Sequence, residues 1–201
     1  MCQSKHHVAL VPFPQMTDRH VRDSCEIAAG NERRIADASH DLDFPEVPFP
    51  SSRILNVVGE ALLRKLVRRH HDLLRASEIG DLFSSDEAEY QSAVTKIADF
   101  VVESCGGRTD YTMKHGKTCM RVRHFPFDID ETAREIWLSC LWQALEETEW
   151  PSAVREEYWN WMEPFSIRMI NRRTFRSQPK RYPFDRVKQP QRRAPFAVCP
   201  R

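Results

Sequence analysis

Seven consecutive residues, Arg121-Val122-Arg123-His124-Phe125-Pro126-Phe127, set an imidazole among guanidinium groups and aromatic rings. A neutral imidazole in apolar surroundings is a good axial ligand for iron, and a planar porphyrin needs apolar faces plus cations at its edge for two propionates. The stretch offers all three: His124 as ligand, Phe125 and Phe127 to pack on or beside a macrocycle, and Arg123 to point toward a carboxylate. The same residues also suit a core histidine capping the helix that follows, and spacing alone does not decide between the two. Other sets are weaker. Cys105, Cys119 and His124 lack a fourth ligand and the spacing of a closed tetrahedral zinc site. Lys5-His6-His7 reads as a surface or adventitious metal motif. No Ser/His/Asp set, carboxylate pair or phosphate loop stands out, so any catalysis would belong to a cofactor.

Four helical patterns must position this stretch, each with apolar residues at i, i+3, i+4, i+7. The first is expected over 54–77, with Leu63, Leu66, Val67, His70 and Leu74 on one stripe. The second is expected over 86–105, with Val94, Ile97, Ala98 and Val101 inward and Gly106-Gly107 as its stop. A third, over 129–149, runs through Ala133, Trp137, Cys140, Leu141, Ala144 and Leu145 with Asp128 as its N-cap. The fourth opens at Pro151 and carries Val154, Tyr158, Met162, Phe165 and Met169, with a kink expected at Pro164. Between the second and third, residues 106–128 fit no template and read as an irregular, chemistry-bearing loop. Trp142, Trp150, Trp159 and Trp161 fall inside helical patterns among acidic neighbours, so they read as core and interface anchors rather than a nucleic-acid platform.

Composition bounds the rest. A chain of 201 residues with six glycines and 41% hydrophobic residues favours an all-α fold with one good core. No apolar run is long enough to span a membrane, and the first twenty residues do not resemble a secretory signal. Six cysteines without a CxxC pair imply reduced thiols and a cytoplasmic protein. The net charge of +1 conceals an asymmetry of −3, −3 and +7 over 1–50, 51–173 and 174–201. The first part ends in Phe44-Pro45-Glu46-Val47-Pro48-Phe49-Pro50 and reads as an extension, partly disordered or with one short helix around 21–29. The last, with five prolines among basic residues, reads as a disordered tail.

The segment 111–145 resembles the truncated haemoglobins of bacteria, specifically their second group. It shares His-Gly at 115–116, Arg-x-Arg-His-x-Pro-Phe at 121–127, Ile129, Arg134, Leu138, Cys140, Ala144-Leu145, and Trp137 thirteen residues after His124. The resemblance covers roughly 54–173 and implies a two-over-two helical sandwich around haem b, with a very short proximal helix. It implies His124 as the proximal iron ligand and Trp137 as the indole that donates to a ligand on the distal side. It places Phe83 against the distal haem face, Ala93 at the distal gate, Ile97 and Phe100 on the haem-facing stripe, and Lys96, Tyr111 and Arg123 in the propionate-binding set. Phe127 completes the haem-contacting group.

One departure stands out. Where the family usually has Phe-Tyr, this chain has His70-His71, so His71 takes the place of the ligand-holding tyrosine in a pocket with Phe83, Ala93, Ile97 and Trp137. An imidazole there can donate to dioxygen or bind the iron itself, and a one-residue shift would give the role to His70. The resulting expectation is a haem globin that reversibly binds dioxygen, carbon monoxide, nitric oxide or a similar small ligand. Its task would be oxygen transport or removal of nitric oxide or peroxide. Turnover would require a partner reductase, because no flavin or nicotinamide motif is present. The alternative is a haem-based sensing or protein-interaction module that uses the terminal extensions. A homodimer is a family-level expectation, and neither nucleic acid nor membrane is an expected partner.

Overall fold

The computed structural model describes residues 42–174 and 176–189. The short helix expected around 21–29, the Lys5-His6-His7 motif and the far tail lie outside them. Among the described residues there are helices and turns but no strands. The order is α1 (Ser52–Arg75), a 3-10 turn (Gly80–Leu82), α2 (Glu87–Ser104), α3 (Asp110–His115), α4 (Met120–His124), α5 (Glu131–Glu146), α6 (Ser152–Ile167) and α7 (Phe184–Val187). None of the described helices is long and apolar enough to cross a membrane.

Each long helix starts where side chains can satisfy its free N–H groups. The Ser51 hydroxyl accepts from Arg53 N, and the Asp86 carboxylate accepts from Glu89 N. α5 is capped by Asp130, which accepts from Ala133 N, and not by Asp128. The expected start was therefore two residues early. Gly106 ends α2 with φ +83°, a value costly for any residue with a Cβ. α1 is broken at Gly59 (φ 76°, ψ 158°), inside what the periodicity presents as one helix. The break lets Ile54 and Val58 on one side and Leu63, Leu66, Val67, His70, His71 and Leu74 on the other all face inward. α6 continues through Pro164 to Ile167 and stops short of Met169. The 106–128 region contains two short helices rather than a plain loop.

α1 packs on α2 and α5 and reaches α6, which gives the two-over-two sandwich. Trp159, Trp161, Tyr90 and Tyr111 are the largest fully buried side chains, and their area dominates core energetics. Beyond that sandwich, the described part of the basic C-terminal segment is mostly exposed but is pinned to the core by three buried side chains. Tyr182, Phe184 and Val187 are buried. Trp159 Nε1–H donates to Tyr182 O (2.7 Å), and Phe184 meets the Trp142 ring at 5.7 Å. The Glu163 carboxylate sits between Arg134 Nη2 (2.7 Å) and Arg181 Nε (2.8 Å) and accepts from Tyr182 N (3.1 Å). Residues 42–50 also lie on the core: Leu42 is buried, the Arg121 guanidinium stacks over Phe44 at 4.9 Å, and Arg168 Nη2 donates to Pro45 O. Proline and charge mask these contacts in the sequence, because burial here depends on a few aromatic residues between the prolines.

Candidate functional site

The second half of α1 brings both His70 and His71 inside. Both imidazoles are under a tenth exposed. His71 Nδ1 is 2.7 Å from Val67 O, one turn back, and His70 Nε2 is 3.1 Å from Trp137 O on α5. A carbonyl can only accept, so those nitrogens carry the protons and donate. The free nitrogens, His71 Nε2 and His70 Nδ1, hold lone pairs. Rings follow the same plan: His70 is edge-on to Trp137 at 4.7 Å, and His71 to Phe83 at 6.2 Å. Burial pushes both imidazoles below their ordinary range, His70 well below, and each is further disfavoured as a cation by a neighbouring imidazole.

For His71 that neighbour is His124, whose charge would weigh against its own. His124 closes the five-residue α4, and its Nδ1–H donates to Met120 O at 2.7 Å. Its Nε2 is therefore also a lone pair, and burial holds its pKa below the usual imidazole value. A neutral imidazole whose other N–H is fixed on a carbonyl is what a metal ligand requires. Phe127, 6.5 Å from the His124 ring, is 41% exposed.

Around this pair the apolar wall is incomplete. Leu73, Phe83, Ile97, Met120, Trp137 and Phe165 pack on the core yet remain partly exposed. Trp137 Nε1–H has no hydrogen-bond partner among the described residues. Phe100 is buried against Tyr111 (5.5 Å) and stacked on Phe165 (6.2 Å). At the edge, the half-buried Lys96 ammonium makes no ion pair among the described residues, and burial and then Arg123 lower its pKa. Arg123 lies over the Tyr111 ring at 5.5 Å and spends donors on His115 O and Lys117 O, so part of its guanidinium holds backbone. Ala93 is exposed on α2. The structure thus groups His70, His71, Phe83, Trp137 and His124. It places Phe100, Tyr111, Lys96 and Arg123 in a second group, and leaves Ala93 and Phe127 at the surface.

Two lone-pair imidazoles, a free indole donor, an open apolar wall and an uncompensated cation fit a flat apolar group with a metal centre and anionic edges. No cluster of three or more His, Cys, Asp or Glu among the described residues could hold a metal ion by itself, which disposes of the Cys105–Cys119–His124 zinc set. Cys105 is fully buried and its thiol is pushed up to about 12. The sequence offered His70 as the alternative to His71, and its place on the apolar stripe was the signal for its burial.

Comparison with known proteins points to one family. The profile for bacterial-like globins matches residues 55–171. Group 2 truncated hemoglobin YjbI of Bacillus subtilis (strain 168) is 30% identical over 115 residues, covering 57% of this chain and 85% of that protein. The crystal structure of phosphate-bound Hell's gate globin IV superposes with a TM-score of 0.72 at 50% identity, covering 74% of this chain and 92% of that one. The group II truncated hemoglobin of Bacillus anthracis does so at 0.56 and 27% identity, over 65% and 100%.

Proposed function

The chain belongs to the bacterial-like globin family, and from that premise we propose that it binds haem b through His124 and reversibly takes up dioxygen or another diatomic ligand. The haem, when bound, supplies an iron centre open to a small ligand. The residues would do the rest. The observation that carries the reading is the His124 Nδ1–H to Met120 O bond, which fixes the tautomer and leaves Nε2 as the donor atom. Trp137 Nε1–H would stabilise a ligand that accumulates negative charge, since an indole can only donate. Phe83, Ile97 and Phe100 would flank the macrocycle, and Lys96 and Arg123, with Tyr111, would meet its carboxylates. Exposed cations of this kind contribute about 1 kcal/mol or less each.

A second reading, internal coordination by His71, is supported by the same tautomer argument. Its Nδ1–H is committed to Val67 O, so the neutral ring offers a lone pair to the pocket and no N–H. That leaves Trp137 as the donor to a bound ligand and makes His71 a competitor for the metal. Oxygen delivery and removal of nitric oxide both remain open to such a site, the latter with electrons from a reductase.

The test is the absorption spectrum of ferric, ferrous and carbon monoxide-treated ferrous protein, for wild type and His124→Ala. A Soret band that moves with redox state and ligand in wild type and is lost in His124→Ala supports the proposal. Sharp visible bands in unliganded ferrous protein that vanish in His71→Leu support the internal ligand. A wild type that shows no Soret band after haem is supplied refutes both.

A further inference from the structure

The helix that carries His124 is too short to hold itself. α4 has five residues, its Cys119 N-cap makes no side-chain cap bond, and the backbone beyond it turns through single i to i+3 bonds at Phe125 and Phe127. Short helices of this kind are marginal without outside support. That support comes from one buried side chain 47 residues away. Asn171, 3% exposed, lies just past the end of α6. Its Nδ2 donates to His124 O (2.9 Å) and to Phe127 O (2.7 Å), and its Oδ1 accepts from Ile129 N (3.0 Å). Its backbone N–H, and that of Arg172, donate to Ile129 O at 3.0 Å. Every polar atom of the amide is thus used on the 124–129 turn, and the assignment of its two ends is forced because both carbonyls need donors and Ile129 N–H needs an acceptor.

We propose that Asn171 is a positioning residue for the proximal imidazole: it fixes the His124 backbone from outside α4 and thereby sets where Nε2 points. The inference rests on His124 being the axial ligand. Two features make asparagine specific here. A carboxylate would set oxygen against the carbonyls of His124 and Phe127. A shortened side chain would leave Phe127 O and Ile129 N–H without these partners and His124 O with only its bond from Phe127 N–H, in a part-buried place. Arg121, which donates to Arg168 O (2.7 Å) and Ile170 O (3.3 Å), ties the start of α4 to the same end of α6, so the amide acts on the end that carries the ligand.

The experiment compares haem-loaded wild type, Asn171→Ala, Asn171→Asp and Ser166→Ala by resonance Raman spectroscopy of the ferrous state and by haem transfer to an acceptor apoglobin. Ser166→Ala removes buried hydrogen bonds to Arg134 and Glu163 without touching 124–129, and controls for general destabilisation. The expected result is a shifted or broadened iron–histidine stretching band and haem loss about ten-fold faster in both Asn171 variants, with Ser166→Ala like wild type. If the truncated variants do not fold, Asn171→Gln keeps the amide at a longer reach, and a displaced band there supports the proposal. An unchanged band in the Asn171 variants that fold, or an equal change in Ser166→Ala, overturns it. A wild type that has no iron–histidine band overturns it together with the reading of His124 as ligand, and that outcome is distinguishable because it appears before any substitution.

Discussion

The two faces that meet at the candidate site are built in opposite ways. His70, His71 and Trp137 project from the long part of α1 beyond its break at Gly59 and from α5, and both imidazoles bond to carbonyls of those helices. His124 sits on a helix of five residues whose far end is held by Asn171. The wall with His70 and His71 is thus part of the core, whereas the His124 face leans on the end of α6. Ligand chemistry on the distal side should resist small changes that the proximal side transmits.

The largest expected effect breaks the proximal face outright. His124→Ala removes the only axial nitrogen we assign there, and the Soret band should be absent in the purified protein while far-UV circular dichroism keeps its helical signal. A retained, redox-sensitive band would show that the distal imidazoles alone suffice. Next comes acid. The folded state holds His70, His71 and His124 below the ordinary imidazole range, so below about pH 6.5 the unfolded chain binds protons that the folded chain refuses. Stability of the apoprotein should be fully present above that pH and fall below it, by up to about 1.4 kcal/mol per pH unit for each histidine, or about 4 for three. Urea midpoints between pH 7 and 5 would measure this. His71→Leu should flatten the slope by about one third, which apportions the burden between the faces.

A smaller effect sharpens the distal side. Trp137→Phe removes an unpartnered donor but keeps a ring against His70, so dissociation of bound dioxygen should speed up about ten-fold, equivalent to about 1.4 kcal/mol for a hydrogen bond to a charged acceptor. Flash photolysis or stopped-flow mixing would read it. Smallest of all, Arg69→Met cuts the bidentate pair to Glu147, 2.5 and 2.8 Å, that runs from α1 to α5 beside His70. Both partners are about two fifths exposed, so stability should fall by no more than about 0.5 kcal/mol, read as a small drop in the thermal midpoint. A larger loss would mean that surface ions, and not buried packing, hold the distal wall.

Much of this scaffold could be read without coordinates. The stripes of α1, α2, α5 and α6 and the Gly106-Gly107 stop follow local rules. What escaped reading depended on contacts distant in sequence. Asp128 and Asp130 are equally good caps by type, and only the Ile129 pairing with Asn171 and Arg172 selects the later one. Gly59 looks like any helical glycine until the inward registers of Ile54 and Leu63 are compared. Asn171 carries no pattern, because its three partners lie over forty residues away.

The pinned C-terminal segment bears on what its loss would do to the core. The family match ends at residue 171, yet Glu163 and Trp159, both within it, have given a buried charge and a buried N–H to Arg181 and Tyr182 beyond it. Arg181 is 48% exposed and Glu163 keeps its buried pair with Arg134, so the larger loss would be the buried Trp159 N–H left without its acceptor, about 1 to 3 kcal/mol. Deleting the appendage would therefore not restore a simpler globin. It would uncover Trp142 and Trp159 where Phe184 and Tyr182 now lie, so the added segment serves as a wall of the core and not as an ornament on it.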